Sequence, residues 1–367
     1  MLAKATAWRK PLLAGAVTVA LVGLLLLIWR GPWWFDGRYL STPDLQRGSA
    51  ALVTGFRTTL VQILAALGAV IALYFTARTY RLNYQGQVTD RFIKALERLG
   101  SDEIYVRIGG ILAMEQIIRD APKLAPDAAQ VLHAFICERV PRASPQEVGR
   151  REPERDVQHA LKALTRPSAR RHMGTERTVE LSYLHLAGLR LREADLTDAW
   201  FIESNLAHAY LEGANLAGAW LFKANLIEAR LRWANLSNSR LAQANLTKAS
   251  LEEANLSQAG LQVANLSSAQ LNDALLNGAD LTGAQLYEAD LTGAQLGNAA
   301  LTDAWLYGAD LRSVHGLTVA QVLLANLNTT TQLPPAVAAD PRVIARIKES
   351  ESYPFGLVAE QEAPSGQ

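Results

Sequence analysis

Small and large apolar residues return every five positions along the middle of the chain. From Ala194 to Leu311, 24 consecutive five-residue blocks place Ala or Ser two positions before a large residue, which is Leu in every block except that of Phe201. Neither regular element fits this period, because successive leucines would turn by about 140° on an α-helix and would alternate faces on a strand. Burial on one side therefore requires the backbone to turn a corner in every block. The pattern predicts a solenoid whose small and large residues both point at the axis.

The blocks ADL, ANL, AYL, AWL and AQL resemble the A(D/N)LXX consensus of the pentapeptide-repeat family. The resemblance implies a mainly β solenoid, a right-handed quadrilateral β-helix with four blocks in each coil. Degenerate blocks carry the pattern upstream to Leu181, so that 27 blocks end at Leu311. At about 4.8 Å per coil, the rod of residues 179–313 would be roughly 30 Å long. A ladder of buried leucines can hold such a domain together, since each contributes on the order of 1.5–3 kcal/mol.

Two apolar segments precede the repeats and predict a membrane anchor over residues 1–84. The first, residues 11–29, has 19 residues without a charge, which at about 1.5 Å per residue can cross a bilayer core of about 30 Å. The second, residues 58–75, is interrupted by Gln62 and Gly68. A cleaved signal peptide competes with the first prediction, and a buried helix of a soluble domain competes with the second. We favour two transmembrane helices, because no small-residue cleavage site follows the first segment.

The cytoplasmic side of the plasma membrane is the expected location of both termini and of the repeats. Basic residues flank both segments and also lie in the loop between them, so the positive-inside rule separates the two orientations only weakly. Cys137 is the single cysteine, and a chain so poor in cysteine is typical of a reducing compartment. Because Cys137 lies in an apolar helical pattern, it is interpreted as a small core residue.

A small α-helical module is predicted for residues 85–178. Apolar residues at helical spacing form several segments there, the first of which ends at Gly100. The stretch VRIGGILAMEQI resembles one helix of a HEAT- or armadillo-type repeat, and its central pair Gly109–Gly110 costs about 1 kcal/mol per Gly relative to Ala. Close approach of another helix is the reason we expect for this pair. Two transmembrane helices, the segment QVTDRFIKALERLGS and the repeats follow one another along the chain. This order resembles that of a group of actinobacterial two-pass membrane pentapeptide-repeat proteins.

The five-residue period ends after the rod. Residues 314–348 predict a capping segment that covers the last coil, with short helices at Val319–Asn326 and Val337–Lys348. Residues 349–367 are polar, contain Pro and Gly, and predict a disordered tail.

The sequence contains few arrangements of residues that are typical of a catalytic site. Its six histidines never pair at metal-ligand spacing, and neither a phosphate-binding loop, a dinucleotide-binding turn nor a nucleophile elbow occurs. Aspartates recur just before the leucine of a block, and solubility and the repeat consensus explain their regular placement. These are Asp195, Asp280, Asp290 and Asp310. We therefore predict that the protein is not an enzyme and has no catalytic residue, cofactor or metal site.

Five residues form a candidate contact surface for a partner. Four blocks per coil place residues 20 apart in one column, so Trp200, Trp220 and Arg240 share an outward column. Ile202 and Phe222 lie two positions further on, at the adjoining corner. Together they predict an apolar strip, which Arg240 can cover by a cation–π contact. The alternative is that the aromatic residues decorate the solenoid singly, or that the rest of the chain covers them.

Charge is unevenly distributed along the chain. Residues 78–178 carry 18 basic and 13 acidic residues, a net of +5, and residues 179–313 carry 8 basic and 15 acidic residues, a net of −7. B-form DNA would present roughly one charge per 1.7 Å, well above the density on the rod. Binding of nucleic acid by the basic module is also disfavoured, because basic residues beside a membrane helix more often contact lipid head groups.

The function favoured by these patterns is that of a non-catalytic, membrane-anchored scaffold or protein-interaction protein. Its expected partners are an unidentified protein and the membrane lipid around its two helices, and assembly into a homo-oligomer stays open. The alternative is a DNA-mimicking modulator of the topoisomerase gyrase, which the resemblance to soluble members of the repeat family implies.

Overall fold

The computed structural model describes residues 23, 26, 29, 30, 49–143, 152–169 and 178–352. The chain divides into two compact units, residues 1–87 and residues 88–367. The predicted first transmembrane segment lies outside the described residues apart from positions 23, 26 and 29, and the predicted tail lies outside them from residue 353 onward.

Helix α1, Ser49–Leu99, is a single helix of 51 residues. Within it, Thr58–Leu99 is the one stretch of the described chain long and apolar enough to cross a membrane, and none of its apolar window is buried by the protein. The hydroxyls of three threonines in α1 donate to backbone carbonyls one turn back, so each has an acceptor within its own helix. The predicted second transmembrane segment thus lies inside α1, and the border drawn between anchor and module at residue 84 falls within the same helix.

Three shorter helices follow: α2, Ile104–Asp120; α3, Ala125–Arg139; and α4, Arg155–Thr165. Their apolar side chains belong to one buried core that continues into the solenoid. A buried ion pair joins α2 to α4, with Arg107 Nε 2.6 Å from Asp156 Oδ2. The Arg107 guanidinium also donates to the carbonyls of Ser101 and Asp102, so this buried charge is both paired and hydrogen-bonded.

The glycine pair of α2 has two different environments. A Cβ on Gly110 would lie 2.9 Å from the Ala95 carbonyl oxygen and 3.0 Å from the Leu99 nitrogen, so α1 and α2 approach closely there. A Cβ on Gly109 would meet nothing within 4 Å. Close helix approach therefore explains Gly110, and the expectation that it would explain Gly109 is wrong.

Cys137 is exposed at the end of α3, which corrects its interpretation as a core residue. Its Sγ lies 3.6 Å from His133 Nε2. Partial desolvation and the nearby Glu180 carboxylate raise the pKa of the thiol. Cys137 is therefore protonated at neutral pH, and so is a weaker nucleophile than a thiolate.

A solenoid follows the helical module. Single parallel bridges join residues 20 apart, from Glu180 with Trp200 to Gln295 with His315, so each coil contains four five-residue blocks. No extended strand occurs among the residues that the structure describes, and each block contributes one bridge residue, which lies between two corners. The leucine and alanine positions are buried throughout. The small and large residues of the repeat thus point inward.

The blocks from Leu186 to Leu306 turn their corners in the same way. The alanine N–H donates to the leucine carbonyl three residues earlier, as in Ala199 to Leu196 at 3.0 Å, and the residue before the alanine has a positive φ, 55° at Asp198. Positive φ at the second central residue alone is the geometry of a type II turn. Where Asn or Asp precedes the leucine, its side chain accepts the remaining N–H of the turn, as in Thr197 N–H to Asp195 Oδ1 at 3.2 Å. The recurring Asn and Asp residues therefore cap the turns as well as contributing solubility.

The four columns of bridge residues differ in composition. Two opposite columns consist of asparagine in the middle coils, where side chains bond from coil to coil, as in Asn225 Nδ2 to Asn205 Oδ1 at 3.2 Å. We call these columns the asparagine faces. The other two columns change residue from coil to coil, and we call them the variable faces. One variable face contains Trp200, and the opposite one contains Tyr210.

The helical module closes the first coil of the solenoid. Three of the four faces of this coil direct a backbone N–H at the module. The bonds run from His185 to the Pro141 carbonyl at 2.9 Å, from Arg190 to Gln158 Oε1 at 3.0 Å, and from Asp195 to the Thr165 carbonyl at 2.7 Å. Without them this edge would present unpaired peptide groups. The module is therefore the N-terminal cap of the rod.

The solenoid continues beyond its predicted end. After helix α5, Val319–Leu323, the chain rejoins the ladder. Two further parallel bridges pair Trp305 with Asn326 and Asp310 with Gln332. Leu327 is fully buried and Leu333 nearly so, as the leucines of the regular blocks are.

The predicted capping helices are corrected accordingly. The helix expected over Val319–Asn326 is too long, because Asn326 lies in a repeat block. The helix expected over Val337–Lys348 is two helices, α6, Pro335–Ala338, and α7, Pro341–Ser352. Proline at the start of each explains the division, since its fixed φ suits the first turn of a helix.

Candidate partner-contact face

Trp200 and Trp220 stack on one variable face of the rod. Their ring centroids are 5.4 Å apart with an interplanar angle of 31°, and the backbone bridge between the two residues sets this spacing. The Arg240 guanidinium carbon lies 3.9 Å from the centroid of the Trp220 ring. Contacts of each kind are worth about 0.5–1.5 kcal/mol. Residues from three successive coils therefore form one continuous stack.

Ile202 and Phe222 lie at the adjoining corner, one coil apart. The Glu203 N–H donates to the Phe222 carbonyl at 2.9 Å, which holds the two coils in register at this corner. Lys223 Nζ lies 5.1 Å from the centroid of the Phe222 ring. Ile202 and Phe222 are half-buried, as are the two stacked tryptophans, whereas Arg240 is exposed.

We call this surface the tryptophan strip. It consists of Trp200, Ile202, Trp220, Phe222 and Arg240. The structure brings the tryptophans and the arginine into direct contact and places the other two residues on the neighbouring column. Because the rings cover one another, the strip is less exposed than its sequence pattern indicated.

The strip ends at Arg240, where the same face changes character. The next residues of this column are Gly260 and then Asp280. Burial opposes ionisation of Asp280, but hydrogen bonds from Thr282 and Gln262 lower the pKa of its carboxyl group. The face is thus aromatic and cationic in the first coils and carries a stabilised carboxylate further along.

Tyr210 forms a second aromatic centre, which the sequence analysis missed. The guanidinium carbons of Arg190, Arg192 and Arg230 lie 5.4, 5.7 and 4.7 Å from the centroid of its ring. This group occupies the variable face opposite the tryptophan strip. The same 20-residue register that aligns the tryptophans places Arg190 and Arg230 on either side of Tyr210, so the signal was present in the sequence.

A third aromatic group lies on the last coils. Trp305 is 6.2 Å from Tyr287 and 5.6 Å from Tyr307, measured between ring centroids. Burial raises the pKa of both tyrosines. Their separation of 20 residues in the sequence was the signal that could have identified this group.

The tryptophan strip supplies ring faces and a fixed cation, which are the groups that dominate many protein interfaces. No cluster of three or more His, Cys, Asp or Glu side chains in the described part of the chain is placed to hold a metal ion.

The repeats have counterparts among known proteins. The family described as Pentapeptide repeats matches residues 190–226, 224–262 and 264–303, with eight copies. HetL, a pentapeptide repeat protein involved in heterocyst differentiation regulation from the cyanobacterium Nostoc sp. strain PCC 7120, is 33% identical over 42% of this chain and 76% of HetL, with a TM-score of 0.27.

Two further solved structures are similar. Rfr23, a pentapeptide repeat protein from the cyanobacterium Cyanothece 51142, is 32% identical over 34% of this chain and 90% of Rfr23, with a TM-score of 0.18. QnrB1, a plasmid-mediated fluoroquinolone resistance protein, is 16% identical over 40% of this chain and 84% of QnrB1, with a TM-score of 0.21. No curated protein matches the chain.

Proposed function

Because the chain belongs to the pentapeptide-repeat family, we propose that it is a non-catalytic scaffold, anchored in the plasma membrane, that binds a protein partner through the tryptophan strip. The stack of Trp200, Trp220 and Arg240 carries this proposal. Tryptophan and arginine are the residues most enriched among those that dominate binding energy. The strip occupies a variable face, where outward residues can change without altering the inward leucine ladder.

We also infer that the solenoid is the right-handed quadrilateral β-helix that the repeats imply, with single bridges on its faces. The membrane part of the proposal comprises two crossings with both termini and the repeats in the cytoplasm. Thr58–Leu99 supports one crossing by length and composition.

The single exposed Cys137 offers a direct test of membrane orientation. A membrane-impermeant maleimide applied to intact cells should leave Cys137 unmodified and should label it once the membrane is permeabilised. A Cys137→Ser variant controls for reaction elsewhere. Labelling in intact cells would place the module outside and overturn the proposed orientation.

Proximity labelling with the full-length protein in its own membrane tests the contact surface. Trp220→Ala should reduce the labelling of the partner at least tenfold, since loss of a central aromatic contact typically costs about 2 kcal/mol or more of binding energy. Trp233→Ala is the matched control, because Trp233 is 54% exposed but lies outside the strip. Unchanged labelling by Trp220→Ala, or equal loss in both variants, would remove the strip from the proposal.

One observation favours the second candidate function, a DNA-mimicking modulator of gyrase. Residues 179–249 contain seven acidic and seven basic residues, whereas residues 250–313 contain eight acidic residues and one arginine. The net charge of −7 therefore lies in the second half of the rod, about three coils or roughly 15 Å long. B-form DNA would present about nine charges over this length.

Gyrase supercoiling assays with the purified full chain test this alternative. A DNA mimic should inhibit supercoiling, and its effect should be lost when Asp290 and Asp310 are both replaced by Asn. No effect at micromolar protein, or the same effect from the Asn variant, would remove the alternative and leave the scaffold proposal intact.

A further inference from the structure

A cavity of about 370 Å³ lies between helix α4 and the first two coils of the rod. Lys162 of α4, Arg190 and Arg192 of the first coil, and Tyr210 of the second coil line it. It opens on the variable face opposite the tryptophan strip, so the two surfaces are independent. We infer that this cavity binds a small molecule or a head group through a phosphate monoester or diphosphate.

Both arginines of the cavity have one acidic partner each. Arg190 Nη2 lies 3.3 Å from both carboxylate oxygens of Glu152. Arg192 donates to the two oxygens of Glu212 at 3.1 Å. The four side chains are about half exposed except that of Glu212, and exposed pairs of this kind are worth less than about 1 kcal/mol. A more highly charged anion can therefore compete for these guanidinium groups.

Two further cations make the site positive. Lys162 lines the cavity, and Arg230 approaches Tyr210 from the next coil, with its guanidinium carbon 4.7 Å from the ring centroid. Neither forms an ion pair with any residue that the structure describes. Four cations against two carboxylates give a formal charge of +2, which a single doubly charged anion would balance.

The arrangement presents hydrogen-bond donors in a defined geometry. A guanidinium stacked on a ring uses its face for that contact and keeps its N–H groups in its own plane. The main chain of Arg190 is held by Gln158, whose amide donates to the Arg190 carbonyl at 2.6 Å and accepts its N–H at 3.0 Å. The backbone that carries the Arg190 side chain is therefore fixed before a ligand arrives, which lowers the entropic cost of binding.

Phosphate groups match these donors better than carboxylates do. A phosphate monoester or diphosphate carries about two charges and accepts paired N–H donors from arginine. The cavity volume is at the lower end of the range of small-molecule sites, about 300–1,000 Å³, which suits a small metabolite or a lipid head group. A phosphorylated metabolite and a lipid head group would present the same phosphate group to the cavity.

Isothermal titration of the full-length chain in detergent with inorganic pyrophosphate tests the site. Pyrophosphate should bind, and Lys162→Gln should weaken its affinity about tenfold, as expected for the loss of one charge-assisted hydrogen bond. Arg230→Gln removes a charge beside the cavity and should weaken the affinity by a smaller factor. Lys162→Arg should retain binding. Arg240→Gln removes the same charge from the opposite face and should change the affinity less than twofold.

Glycerol phosphate and short-chain phosphatidic acid then distinguish the two sources. Tighter binding of phosphatidic acid assigns the cavity to a lipid head group, and equal or tighter binding of glycerol phosphate assigns it to a soluble molecule; either result supports the site. Absence of pyrophosphate binding at millimolar concentration, or equal weakening by all three glutamine variants, overturns it. Thermal unfolding of each variant shows that lost binding is not lost folding.

Discussion

The solenoid and the helical module solve the problem of burial in opposite ways. Each coil of the solenoid repeats the same leucine and alanine contacts and the same backbone bonds to its neighbour. The module also buries apolar side chains, but its packing includes contacts that occur only once, namely the Arg107–Asp156 ion pair and the close approach at Gly110. Repetition suffices where every unit meets an identical neighbour, whereas the end of the stack needs residues that occur once.

The largest expected effect follows from breaking the unique ion pair of the module. Arg107→Ala should cost about 3–5 kcal/mol, because it leaves the Asp156 carboxylate buried without its closest cation. Hydrogen exchange followed by mass spectrometry on the full chain should show faster exchange in α2–α4. The Asp195 N–H of the first coil should also lose protection, since its acceptor belongs to the module.

Arg139→Ala is the control for this prediction. Its guanidinium lies 3.9 Å from Asp156 but is 35% exposed, so the loss should stay below about 1 kcal/mol. If the middle coils lost as much protection as the module in Arg107→Ala, the two regions would unfold together and the contrast between them would fail.

Replacing single leucines tests the uniformity of the solenoid. Leu241→Ala and Leu271→Ala remove fully buried side chains from different coils, and each should cost about 3 kcal/mol. Because the surroundings repeat, the two losses should agree within about 1 kcal/mol. Denaturant unfolding, with exchange to locate the opening, measures both. A large difference between them would show that the coils are not equivalent.

A smaller effect separates the two glycines of α2. Gly110→Ala should destabilise the module by about 1–3 kcal/mol, because its Cβ would press on the backbone of α1. Gly109→Ala should stabilise it by up to about 1 kcal/mol, since the added methyl group meets open space and alanine favours helix. Thermal unfolding of the two variants provides the comparison, and destabilisation by Gly109→Ala would contradict the open space at that position.

The smallest effect concerns acid sensitivity in the second half of the rod. Burial opposes ionisation of Asp290, but hydrogen bonds from Thr292 and Asn272 lower its pKa, as equivalent bonds do at Asp280. A folded pKa below the unfolded value of about 3.9 gives stability that is present above that pH and lost as the pH falls through the folded pKa. Each carboxylate should contribute less than about 1 kcal/mol because both are partly exposed.

The Asp280→Asn/Asp290→Asn variant checks this pH dependence. Asparagine keeps an oxygen that can accept the N–H of the turn but does not titrate, so the stability of the variant should fall less steeply between about pH 5 and pH 3. Unfolding by urea at several pH values gives the two profiles. Parallel profiles would show that these carboxylates do not control the acid response.

The rod could be predicted from the sequence because its contacts recur at a fixed spacing. The inward leucines follow from that spacing, and the alignment of Trp200 with Trp220 follows from it together with the four blocks per coil that the family resemblance implies. The final two blocks could not be predicted, since α5 shifts the pairing from 20 residues to 21 at Trp305 and 22 at Asp310. The local pattern also failed for Cys137, because apolar residues on several sides of α3 do not show which side faces the core.

The capping role of the module could not be predicted from the sequence, for a different reason. Gln158 contacts Arg190 across 32 residues of sequence, and no periodic signal links the two positions. Likewise, the cavity beside Tyr210 needs residues from α4 and from two coils. Such sites arise where a repetitive element meets a non-repetitive one, so they depend on three-dimensional packing.

A coil of four blocks also restricts how a rod of this kind can change its length during evolution. Deletion of one five-residue block would keep every leucine inside, but it would rotate all later outward residues by one face. Trp220 would then no longer follow Trp200 if the lost block lay between them. Deletion or duplication of 20 residues would keep every later column in place. A whole coil is therefore the smallest insertion that lengthens the molecule and preserves its surfaces on both sides of the change.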